Sequence, residues 1–171
     1  MSRIPFFFVA ICLALLAFIF DSQLPAVLIP LLPSSMFFSS HLVLIILLFW
    51  VQKSDSNLLY LVFLCLGFLT DDYFYHTIGI SIFIYPLIVY LTRKHKGLIN
   101  LPLTRYLMFL VFIFLFEGIS YMLAWIYGLT RQPIEFVVTH HLLFTILVNS
   151  VIILFTNPIF QKINKESSTI N

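Results

Sequence analysis

From Ile4 to Phe20 the chain carries no charged side chain, and similar apolar stretches recur along its whole length. A helix that crosses a bilayer needs about 20 apolar residues, with a range of about 17 to 25. Of the 171 residues, 61% are hydrophobic and only 9% are charged, whereas a soluble domain carries about a quarter charged residues. A water-facing surface cannot be built from so few charges, so lipid is the solvent. In lipid the backbone must satisfy its own hydrogen bonds, and a helix does so within one segment. The expected class is therefore all-α, a polytopic integral membrane protein forming a single bundle over residues 1–171.

Six spans are expected, at 4–20, 35–52, 58–70, 77–92, 105–127 and 138–157. The first follows Arg3 as a secretory signal does, but no small-x-small cleavage site closes it, so it reads as a retained span. Pro25, Pro30 and Pro33 make a continuous helix after it unfavourable, and that segment reads as an outer loop at the interface. Trp50 falls at the end of the second span, where indoles settle in the interfacial belt. Pro158 helps to stop the sixth. Cys12 and Cys65 lie inside apolar runs and read as small packing residues.

An even number of spans puts both termini on one side. With the N-terminus in the cytoplasm, the inner segments hold Arg3, Lys53, Arg93, Lys94, Lys96, Arg105, Lys162 and Lys165, and the outer ones hold only Arg131. That asymmetry follows the positive-inside rule. The one basic cluster, RKHKGLINLPLTR (93–105), reads as an orienting loop that meets lipid headgroups, not as a nucleic-acid site.

Polar side chains in membrane helices face protein. At the helical step of about 100° per residue, His141, Thr145, Asn149 and Thr156 share one face of the sixth span. Thr77, Ser81, Tyr85 and Thr92 share one face of the fourth, and Tyr106, Glu117 and Tyr121 one face of the fifth. Together Ser81, Tyr85, Glu117, Tyr121, His141, Thr145 and Asn149 predict an internal polar seam. Glu117, mid-span, is expected to be protonated or paired with a histidine or tyrosine. Ala10, Ala14 and Ala17 form a small-residue stripe on the first span that lets helices approach closely.

Enzyme chemistry is not expected. Asp71 and Asp72 are neighbours and point about 100° apart on a helix, so they cannot bracket a water as a facing carboxylate pair does. His140 and His141 are adjacent and lack the HExxH spacing of a membrane zinc protease. No glycine-rich phosphate loop or nucleophile elbow is present, and no metal or cofactor is expected. The stretch GFLTDDYFYHTIG (67–79) instead reads as an outer turn between two short spans. Its carboxylates can cap the next helix and meet its positive dipole end, while Gly67 and Gly79 allow close approach.

The pattern Gly67, Asp71, Gly79, followed by the apolar run from Tyr85 to Leu91, resembles the rod shape-determining protein MreD family. The first span leading to a proline-bearing loop and the terminal NPIF (157–160) before a basic tail also fit. The doubled aspartate leaves Asp71 and Asp72 both eligible for the family position, and spacing favours Asp71. The resemblance implies a non-enzymatic scaffold in the bacterial cytoplasmic membrane. It also implies a bitopic MreC-like partner and, less directly, an elongation glycosyltransferase and a class B penicillin-binding protein. Lateral peptidoglycan synthesis and cell shape are the implied role. A substrate-binding subunit of an energy-coupling-factor vitamin transporter is the alternative, because that class also has six spans.

Overall fold

The computed structural model describes residues 3–33 and 35–168, with side chains described over 7–33 and 35–158. The side chains of Lys162 and Lys165 therefore lie outside the described residues. Among the described residues the fold is entirely helical. Its elements are α1 (Arg3–Leu28), α2 (Leu42–Lys53), α3 (Leu58–Thr70), α4 (Ser81–Lys94), α5 (Pro102–Ile126), α6 (Ile134–Val137) and α7 (Leu143–Ser168). A π-helical turn, Asp71–Tyr75, prolongs α3, and another, Val138–Leu142, joins α6 to α7 as one rod. Four helical stretches are long and apolar enough to cross a membrane: Phe7–Leu31, Leu58–Tyr75, Pro102–Ile126 and Ile134–Pro158. α2 and α4, with 12 and 14 residues, are shorter, about 18 and 21 Å at 1.5 Å per residue.

The helices pack as three hairpins, α1 on α2, α3 on α4 and α5 on α7. At the centre stands α2, which touches α1, α4, α5 and α7. No residue of α2 is exposed, which its uninterrupted apolar sequence LVLIILLFWV explains. Trp50 is correspondingly not in an interfacial belt. It is fully buried, with its ring centroid 6.0 Å from that of Phe7 and 6.1 Å from that of Phe63.

Besides the place of Trp50, and besides Pro158, which does not stop the last helix because α7 runs through it to Ser168, three sequence expectations need correction. First, α1 does not stop at residue 20. It runs through Pro25 to Leu28 and continues as a 3-10 turn, Ile29–Leu31. Pro25 removes one i to i−4 bond near the helix end, which a membrane helix tolerates. Second, residues 35–41 are not helical; the second helix begins only at Leu42. Third, the turn after α3 starts later than Thr70, because the π turn carries the helix to Tyr75. The chain then reverses through His76, in the left-handed region at φ 48°, and Gly79 at φ 120°.

The two family glycines have different roles. A Cβ on Gly67 would sit 2.7 Å from both the Ile82 Cα and the Ser81 carbonyl oxygen, so Gly67 is where the α3 and α4 backbones touch. Gly79 instead supplies a positive φ that L side chains rarely adopt. Replacing Gly67 with Ala should destabilise the α3–α4 hairpin by about 1–3 kcal/mol through overpacking. Gly118 on α5 has nothing within 4 Å of a built Cβ, so Gly118→Ala should not destabilise and should raise stability by up to about 1 kcal/mol. Thermal unfolding of both variants in detergent separates the two outcomes.

Candidate functional site

Two aspartates hold the starts of the two short helices. Asp21 follows Ala10, Ala14 and Ala17 at helical spacing on the buried face of α1. Its carboxylate accepts the Ser40 hydroxyl at 2.6 Å, the Leu42 N–H at 2.7 Å and the Val43 N–H at 2.9 Å. Asp71, fully buried, does the same for α4. It accepts the N–H groups of Gly79 at 2.9 Å, Ile80 at 3.0 Å, Ser81 at 2.5 Å and Ile82 at 3.3 Å. The first N–H groups of a helix have no intrahelical partner, and inside a bundle no bulk water replaces one. Each carboxylate fills that role from the preceding helix and meets the positive end of the helix dipole. Asp72 takes no part in this capping, because it is exposed. One of the two adjacent acids is thus a buried cap and the other lies on the surface.

The extended segment before α2 is held by α7. Alternate residues of extended chain face one side, and here the N–H groups of Phe37, Ser39 and His41 all turn to α7. Phe37 donates to the His140 carbonyl at 3.0 Å, within the π turn. Ser39 donates to Thr145 Oγ1 at 3.0 Å and His41 to Asn149 Oδ1 at 2.9 Å. Asn149 Nδ2 returns a bond to the Ser39 carbonyl at 2.7 Å. Thr145 and Asn149, both fully buried, thereby act as a one-turn ladder for non-helical backbone.

Glu117 lies between two imidazoles. His41 Nε2 is 2.8 Å from Oε1 and His141 Nε2 is 3.0 Å from Oε2. The acid on α5 therefore ties α5 to the start of α2 and to the π turn before α7. Among the described residues, no group of three or more His, Cys, Asp or Glu side chains is arranged to hold a metal ion.

These groups surround a cavity of about 440 Å³. Its wall includes Asp21, His41, Tyr85, Glu117, Tyr121 and His141. It lies towards the end of the bundle where α1, α3 and α5 finish, opposite the end that carries Lys53, Arg93 and Lys96. Of the residues expected in one seam, Glu117 and His141 are in direct contact, and Thr145 and Asn149 support the segment beside them. Ser81 belongs to the Asp71 cap. Tyr85 packs its ring against Phe116, 5.3 Å between centroids. Tyr121 donates to the Gln132 carbonyl at 2.7 Å, at the mouth.

Asp21, Ser39, Ser40 and His41 were not among the residues expected from sequence. Two signals point to them. Asp21 continues the alanine stripe in phase, and Ser39-Ser40-His41 directly precedes an apolar run, as helix-starting residues do.

Asparagine in place of Asp71 should lower the unfolding midpoint in detergent, with a cost of about 1–3 kcal/mol for each amide it fails to satisfy. Asparagine in place of the exposed Asp72 should change stability by no more than about 0.5 kcal/mol. Equal effects would contradict the division between the two acids.

Comparison with known proteins identifies a family. The family model described as rod shape-determining protein MreD matches residues 1–165. The cell shape-determining protein MreD of Streptococcus pneumoniae (strain ATCC BAA-255 / R6) is 35% identical over 126 residues, which cover 72% of this chain and 76% of that protein. No solved structure matches the chain. A match over nearly the whole length, together with apolar helices able to span a bilayer, places the chain in the MreD family of membrane proteins that determine bacterial cell shape.

Proposed function

We propose that this chain is a six-span, non-enzymatic scaffold of the cell-wall elongation machinery, with both termini in the cytoplasm. In this reading it binds a bitopic MreC-like protein. Through that partner it supports lateral peptidoglycan synthesis by an elongation glycosyltransferase and a class B penicillin-binding protein. The bacterial cytoplasmic membrane is its location, as a multi-pass protein.

The observation that carries the reading is how the buried acids are used. Asp21 accepts three hydrogen bonds, Asp71 accepts four, and Glu117 meets two imidazoles. Each fixes one helix against another, and none faces a second carboxylate across a shared water. Such groups make a bundle rigid, which suits a part that positions others. The faces turned outward are apolar, as with Leu107, Val111, Phe114, Met122 and Trp125 along α5. Such faces suit lipid or another spanning helix.

The six-span arrangement draws support from the short helices. α2 and α4 are too short alone for a hydrocarbon core of about 30 Å, but the held segments at 35–41 and 76–80 extend their reach. Non-helical backbone is tolerated at that depth where it is buried in protein, as at Phe38, Ser40, His41, Gly79 and Ile80. The family match bears on the cell-shape class and lends no support to the vitamin-carrier alternative.

Affinity purification from detergent-solubilised membranes of the source cell should co-isolate a single-span protein with a large extracytoplasmic domain. Repeated purification of a folded, monodisperse chain without such a protein, even after cross-linking in the intact cell, would contradict the scaffold reading. In the same cells, a variant lacking Cys12 and Cys65 reports topology. An impermeant thiol reagent should label Gln132→Cys and leave Gly97→Cys untouched.

A further inference from the structure

The cavity at the end opposite Lys53, Arg93 and Lys96 has a chemical bias that scaffolding does not require. Its volume, about 440 Å³, falls in the range of small-molecule sites, about 300–1,000 Å³. Among the described residues its wall contains two acids, Asp21 and Glu117, and two histidines, but no lysine or arginine. Arg131 follows the lining residue Thr130 but is itself exposed.

The charge limits follow directly. With both imidazoles neutral, Asp21 and Glu117 leave the wall with two negative charges. With both imidazoles protonated the four groups cancel. With both carboxylates ionised, the wall is neutral or negative. An anionic ligand such as a phosphate or a carboxylate finds no lysine or arginine there to receive it.

The rest of the wall strengthens the same preference. Phe18, Phe74, Tyr85 and Phe116 line the cavity from α1, the π turn after α3, α4 and α5. Tyr85 and Phe116 meet at an interplanar angle of 47°, and His41 packs edge-on against Phe116 with centroids 5.1 Å apart. Aromatic faces carry negative quadrupole density and attract cations, and aromatic cages are a recurring solution for quaternary ammonium groups. Ionisable residues at membrane depth are costly, and they face the bundle interior or a water-filled cavity.

We propose that this cavity binds a small organic ammonium compound, its cationic head held between aromatic faces and the Asp21–Glu117 side of the wall. The ligand enters from the end of the bundle where α1, α3 and α5 finish. The site is independent of the partner-binding reading, since partner capture and ammonium binding are read by different measurements.

The full chain in lipid nanodiscs is titrated calorimetrically with tetramethylammonium, choline and benzyltrimethylammonium. Each is paired with its uncharged carbon isostere (neopentane, 3,3-dimethylbutanol and neopentylbenzene). At least one cation should bind saturably and about tenfold or more tightly than its isostere. Phe74 is half-exposed at the mouth, so Phe74→Leu is expected to keep the fold and weaken that binding several-fold. Glu117→Gln should narrow the preference for the cation over the isostere. If all three cations bind no better than their isosteres, or if binding is unchanged in both folded variants, the proposal is overturned.

Discussion

A carboxylate that takes the place of water at a buried helix start is the interaction on which this bundle depends. Asp21 near the end of α1 and Asp71 in the π turn after α3 each reach to the otherwise unpaired amides at the start of the next helix. Without them α2 and α4 would begin inside the bundle with several N–H groups unpaired, each costing several kcal/mol in an apolar medium. With them the central helix α2 can be only 12 residues long and apolar on every side. Because α2 starts below the end of the bundle, the extended residues before it must also be buried. They in turn need partners, which the π turn, Thr145 and Asn149 of the α6–α7 rod supply.

The cavity follows from the same arrangement. A full-length second helix would fill the space between α1, α3 and α5 at that end. A short one, preceded by a narrow extended segment, leaves it open. Glu117 and its two histidines then brace the wall between α5, the start of α2 and the rod. Membership of the MreD family and rigid internal bracing fit together, since a protein that determines cell shape must hold its own geometry first.

Much of this was legible in the sequence because lipid leaves few choices. The low charge content and the apolar runs lead to an all-helical membrane protein. The capping of α4 by an acid in 67–79 follows from dipole reasoning alone. Which acid caps, and which lies on the surface, does not, since Asp71 and Asp72 differ only in helix phase and that phase depends on the π turn. The late start of α2 was also hidden. SMFFSSH (35–41) is apolar enough in its middle to be absorbed into a span, and the bonds that hold Phe37, Ser39 and His41 come from residues more than a hundred positions away. His41 was missed for the same reason. Its partner Glu117 could be expected to seek a histidine, but nothing local identified which one.

Hydrogen–deuterium exchange across α4 tests the central claim most directly. In the native chain the amides of Gly79, Ile80, Ser81 and Ile82 should be strongly protected. In Asp71→Asn they should exchange much faster, while the amides in the middle of α3 stay protected. Unchanged protection of residues 79–82 in a folded Asp71→Asn chain would show that the carboxylate is not what holds the start of this helix.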